Sequence, residues 1–143
     1  MLSRPAAIGA HAALALFAVA CGSGPTPTLS PGPVADPEEA AHLRELAFGY
    51  WEAFNAYDAD GTLAYLEGGY RAQREENVRT EIGRIDLFNV QLGVSEEAPP
   101  WIIEGGGREM YLTMKEPLGT RRIRMEFQDV EGEWKITFAQ QTE

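Results

Sequence analysis

From Arg108 to Gln140 the chain reads REMYLTMKEPLGTRRIRMEFQDVEGEWKITFAQ, with apolar side chains on alternate residues through most of the stretch. A period of two is the signature of strands buried on one face only. PLGT and DVEG break it twice, so three strands joined by two tight antiparallel connections are expected. With four residues in each loop, Met114 faces Ile123, Met125 faces Leu112 and Ile136, and Phe127 faces Met110 and Trp134. The opposite face then pairs Glu116 with Arg121 and Glu126 with Lys135. Upstream, LFNVQLGV sets Phe88, Val90, Leu92 and Val94 on one side, and PPWIIE supplies a further short strand after a proline break. The expectation is a curved antiparallel sheet of about five strands with one apolar face. Such a face needs a cover.

Three amphipathic helices stand upstream to provide it, which makes the fold class α+β. Asp36 can cap the first, Pro37 suits its first position, and Glu39 stands where a capping box places its acid. Leu43, Ala47, Tyr50, Phe54 and Tyr57 recur at helical spacing, widened by Leu46 and Trp51. Such an aromatic stripe reads first as core. The stretch YDADGT that follows has the look of a calcium loop, but counting from Asp58 puts Leu63 where the glycine belongs and Gly69 where the bidentate glutamate belongs. Asp58 is therefore read as the cap of a second short helix, with Asp60 in its first turn. After Gly68 and Gly69, Val78, Ile82 and Ile85 mark one side of a third helix. Arg71, Arg74, Arg79 and Arg84 alternate with Glu75, Glu76 and Glu81, which reads as a solvated face, with an anion-binding arginine group as the alternative.

The amino-terminal third is organised differently. MLSR followed by PAAIGAHAALALFAVA has a signal-peptide layout, assigned to residues 1–20, and the apolar run is shorter and weaker than the roughly 20 residues of a bilayer span. AVAC then GSG resembles the bacterial lipoprotein lipobox, with Ala18 where leucine is usual. The resemblance implies lipid on Cys21, and hence an extracytoplasmic chain anchored to the bacterial cell membrane; the alternative is an incidental cysteine beside an ordinary cleavage site. Cys21 is the sole cysteine, so the fold must stand without disulfides. Residues 21–37 hold five prolines of the stretch GSGPTPTLSPGPVADP and read as a spacer, leaving 38–143 as the folded domain. A formal charge of −10 disfavours nucleic acid as a partner.

YWEAFNAYDADGTLAYL near the start of the domain and VEGEWKITFA at its end resemble the nuclear transport factor 2-like superfamily, over about residues 36–143. That resemblance implies a cone-shaped fold able to hold a small ligand between helices and sheet. It covers ketosteroid isomerase-like and polyketide cyclase-like enzymes as well as non-catalytic binding and dimerising modules. An enzyme of this kind needs a carboxylate or histidine inside the cone. The inward strand positions are aliphatic, aromatic or methionine, and the domain's one histidine, His42, lies early in the first helix. Asp86 is the candidate general base, at the start of its strand, and Arg108 shares the inward parity of Met110; both are otherwise strand-end residues. Tyr50, Tyr65 and Tyr70 can offer hydroxyls. No nucleophile motif, phosphate loop or zinc spacing is visible, and no cofactor or metal is expected.

The reading favoured by the sequence is a membrane-anchored envelope lipoprotein with a non-catalytic domain that binds a small apolar molecule or an envelope protein. Its pocket candidates are Tyr50, Trp51, Phe54, Tyr65, Phe88, Met110, Met125 and Trp134. The alternatives are a small isomerase or cyclase using Asp86, and a homodimer formed through an outer sheet face carrying Tyr111, Thr113, Arg122, Arg124 and Thr137.

Overall fold

Three helices, α1 (Pro37–Asn55), α2 (Ala59–Ala64) and α3 (Gly68–Leu87), precede four strands, β1 (Gly93–Ile102), β2 (Arg108–Glu116), β3 (Gly119–Val130) and β4 (Glu133–Thr142). The computed structural model describes residues 29–142, so the signal segment and Cys21 lie outside the described residues. The strands form one antiparallel sheet in chain order, and the helices pack on one face of it. The fold is α+β, with four strands rather than about five.

Each helix end has a local cause. The Asp36 carboxylate accepts from Glu38 N at 3.0 Å and caps α1, but the expected capping box does not close. Glu39 turns instead to Arg108 of β2, with oxygens 2.6 and 2.9 Å from its guanidinium nitrogens. At the other end of α1, Tyr57 adopts φ 59°; its N–H reaches Phe54 O, and Asp58 N reaches Ala53 O, closing a Schellman motif. Asp58 then accepts from Gly61 N at 2.9 Å and caps α2. One residue both ends the first helix and starts the second, which is why YDADGT looks unusual. Replacing Asp58 with alanine should cost about 1 kcal/mol of unfolding free energy. Denaturant unfolding of the pair checks this, and equal midpoints would remove the capping role.

The missing strand has an equally local explanation. Asn89 takes φ 50°, Asn89 N bonds Asp86 O at 3.0 Å, and Val90 N bonds Ile85 O at 2.8 Å, which makes a second Schellman motif at the end of α3. The helix therefore runs through Asp86 and Leu87, and Phe88 is its C-cap residue, 70% exposed. The alternation Phe88, Val90, Leu92 belongs to a helix stop. Leu92, still outside the sheet, has its backbone N–H and C=O both bonded by the Asn55 side chain at 2.8 Å, so no neighbouring strand is needed there. PPWIIE is not a separate strand: its first four residues complete β1, whose register slips beside the two prolines.

Both hairpins turn in two residues, Pro117–Leu118 and Glu131–Gly132, rather than four. Glu131 (φ 56°) and Gly132 (φ 86°) both have positive φ, the pattern of a type I′ turn. The register shifts by two accordingly: Leu112 pairs Ile123, Met110 pairs Met125, and Phe127 pairs Ile136. An even shift preserves faces, so Met110, Leu112, Met114, Ile123, Met125 and Phe127 are all buried as expected. Glu116 and Arg121 still form an ion pair at 2.8 Å, diagonally, whereas Lys135 lies opposite Gln128 and its ion partner is Glu133, not Glu126.

One inward position changes sides. Phe127 faces Ile136 while Glu126 faces Phe138, so Thr137 is an extra residue bulged from β4. Phe138 therefore leaves the apolar wall and lies under the Arg124 guanidinium, 4.5 Å from its ring centroid, and Ala139 takes the inner place. The bulge is held from α3, where the Tyr70 hydroxyl receives Ala139 N at 2.9 Å and donates to Ala139 O at 3.3 Å.

The end of the proline-rich stretch is part of the fold. Val34 forms a bridge with Trp101, Ala35 N donates to Pro100 O at 2.9 Å, and Ile102 N donates to Pro33 O at 2.8 Å. Gly32 lies so close that a Cβ there would clash with the backbone carbonyl oxygen of Ile102. Residues 32–35 thus strap the outer edge of β1 and cover Trp101, which is 3% exposed.

Candidate functional site

The aromatic stripe of α1 does not meet the sheet along its whole length. Between α1, α3 and the end of the sheet carrying the β2–β3 turn lies a hollow of about 300 Å³. Its apolar lining comes from Tyr50, Trp51 and Phe54 of α1, Ile85 of α3, Leu92, and Met114, Ile123 and Ala139 of the strands. Its polar lining is Arg74, Glu81 and Arg84 on α3, facing Glu116, Arg121, Gln140 and Gln141 on the sheet. Floor and rim share faces: Glu116 has the inward parity of Met114 and Arg121 that of Ile123, so this pair lies at the end of the inner face and not on the opposite one, and Arg74 and Glu81 lie on the same side of α3 as Ile85.

A second hollow of about 390 Å³ adjoins the first and shares Arg84, Ile85, Leu92, Glu116 and Arg121 with it. Phe88, Val90, Pro117 and Leu118 extend its lining outward. Leu118 at the hairpin tip is 99% exposed, so the lip, like the floor, is apolar. A volume of about 300 Å³ is at the lower end of small-molecule sites, which run to about 1,000 Å³.

Tyr50 supplies a hydroxyl to the lining. It is 3% exposed, and its hydroxyl has no hydrogen-bond partner among the described residues. Burial pushes its pKa well above the ordinary phenol range, with Tyr70 and Glu81 pushing the same way and Arg74 opposing, so the hydroxyl stays a donor at neutral pH. Trp51 stacks edge-on against Tyr50 at 4.9 Å between centroids, and its indole N–H is buried without a partner.

A scan against protein-family models gives no match, and a search of curated proteins finds no match to the sequence. The site must be read from its own residues.

Of the residues picked from sequence, Tyr50, Trp51 and Phe54 line the first hollow and Phe88 lines the second. Met110 and Met125 are fully buried in the core and line neither. Trp134 is half-buried near the opposite end of the sheet, with Arg108 5.0 Å from its ring centroid, and Tyr65 packs its hydroxyl against Gly49. Asp86 is exposed in the last turn of α3 and lines neither hollow, because the helix continues where a strand was expected. Arg108 is held by Glu39 and by the carbonyls of Gly106 and Gly107. The rim residues Arg74, Glu81, Arg84, Glu116 and Arg121 do not emerge from the sequence as one group, although an anion-binding arginine group on α3 is the alternative reading there. The available signal for the sheet side was parity, since Glu116 shares the side of Met114 and Arg121 that of Ile123.

Proposed function

We propose that the chain is an extracytoplasmic bacterial lipoprotein, tethered through Cys21, whose domain has the cone form of the nuclear transport factor 2-like superfamily and binds a small apolar molecule without transforming it. The observation that carries this reading is the hollow floored by Tyr50, Trp51 and Phe54, an aromatic surface left unfilled by the protein's own side chains. Concave apolar sites with a few polar groups are the usual form of small-molecule pockets.

Binding is favoured over turnover by the disposition of the acids. Glu116 is engaged by Arg121 at 2.8 Å, and Glu81, half-buried on α3, lines the hollow together with Arg74 and Arg84. Asp86, the base of the isomerase alternative, is exposed to solvent. The outer sheet face, the surface of the dimer alternative, already spends its charges internally: Arg122 holds Glu97 at 2.6 Å and Arg124 holds Glu126 at 2.8 Å.

Two measurements test the reading. Titrating the full chain with a neutral fluorescent probe, N-phenyl-1-naphthylamine, should give saturable enhancement at one site per chain; no saturable signal would remove the pocket. In bacterial cells, labelled palmitate should enter the wild-type chain and not Cys21→Ser, and the variant should leave the membrane fraction. Equal labelling of both would end the lipoprotein assignment.

A further inference from the structure

We infer that the ligand is an amphiphilic monoanion: an apolar body for the aromatic floor and one carboxylate for the arginine rim. This rests on the pocket reading and names the class of molecule it takes.

The distribution of ion pairs carries the inference. In a chain with 22 acids against 12 basic residues, a carboxylate is rarely far from any guanidinium. Arg44, Arg79, Arg108, Arg121, Arg122 and Arg124 each hold at least one. Among the described residues Arg71, Arg74 and Arg84 have no carboxylate within ion-pair distance, and Arg74 and Arg84 both line the hollow. Arg74 is half-buried there, near Tyr50, whose hydroxyl also has no hydrogen-bond partner among the described residues. Unfilled donors gathered at the edge of an apolar cavity call for an acceptor, and a planar guanidinium matches a carboxylate best.

The rim also limits the charge. Three guanidiniums, Arg74, Arg84 and Arg121, stand against two carboxylates, Glu81 and Glu116, an excess of one positive charge. A dianion would overshoot that excess, and the acidic remainder of the protein would repel it more strongly. A cation would gain Glu81 but meet the unpaired arginines. The apolar lip at Phe88 and Leu118 extends the floor outward, so the body of the ligand can be longer than the inner hollow alone.

Isothermal titration of the full chain at low ionic strength with decanoate, decanol and decylamine, each kept below its aggregation concentration, separates the claims. Decanoate should bind about three- to tenfold tighter than decanol, a range set by two partly exposed charge contacts, and decylamine weaker than decanol. In the double variant Arg74→Gln, Arg84→Gln, decanoate should fall to the level of decanol while decanol itself is unchanged, which also shows the variant folded. If decanol matches decanoate in the wild type, or the double variant keeps the preference, the monoanion assignment is overturned while the pocket stands. Binding of none of the three overturns both.

Discussion

Phe127→Ala should lower the unfolding free energy by about 3–5 kcal/mol, a large share of the roughly 5–15 kcal/mol typical of a folded domain. Phe127 is fully buried in the middle of the sheet, opposite Ile136 on one side and Arg108 on the other, on the face covered by the helices. The same core contains Leu43, Leu63, Leu112 and Met125, each with no exposed surface. They come from α1, α2, β2 and β3, elements tied together by hydrogen-bond ladders and caps, so little collapse into the vacated space is available. Truncation thus loses both the transfer of the ring from water and the contacts around it. Urea unfolding followed by circular dichroism gives the number directly. A loss under about 1 kcal/mol would mean that the ring is not at the centre of the core.

The second large effect falls on the opposite face of the sheet. Trp101 points away from the helices, yet it is 3% exposed, because residues 32–35 lie across it and Tyr111 stacks on its ring at 5.4 Å between centroids. Trp101→Ala should cost about 3–5 kcal/mol, close to the Phe127 effect despite lying outside the main core. The neighbouring Ile102→Ala, 37% exposed on the same strand, should cost much less and serves as the control. The variant should also release the strap, so limited proteolysis should cut near Val34 in Trp101→Ala and spare it in the wild type. If Trp101→Ala and Ile102→Ala unfold together, the strap contributes nothing and the folded domain is confined to residues 38–143 as the sequence suggests.

Much of this architecture was legible because local chemistry and side-chain period pointed the same way. The helices announced themselves through Asp36, Asp58 and the aromatic stripe, and the faces of β2 and β3 through strict alternation. Face assignment survived the error in loop length because a shift of two residues leaves every side chain on its own side. Two features were illegible for a common reason. Asn89 ends α3 by adopting a left-handed backbone, and Thr137 bulges from β4 onto the Tyr70 hydroxyl; neither leaves a mark in an apolar pattern. An asparagine between two apolar residues was the available signal for the first. The second needs the partner from α3.

The site was less legible than the fold. Parity says which residues face inward but not how far along a strand the helices stop covering them. Met110 and Met125 were therefore grouped with Tyr50 and Phe54, although the methionines are wholly enclosed and only the aromatics, themselves largely buried, line the hollow. The rim arginines were read as a solvated face, which is what the α3 charges are on the side away from Glu116 and Arg121. Only the crossing of α3 over the end of the sheet turns part of that stripe toward a cavity.

Thermal unfolding of Ala139→Leu tests the hollow itself. Ala139 is 6% exposed and lines the cavity, so the added isopropyl group should extend into unfilled space, leaving the midpoint unchanged or raised. Overpacking a filled core instead costs about 1–3 kcal/mol, and a fall of about 4 °C or more would contradict an open cavity between α1, α3 and the sheet.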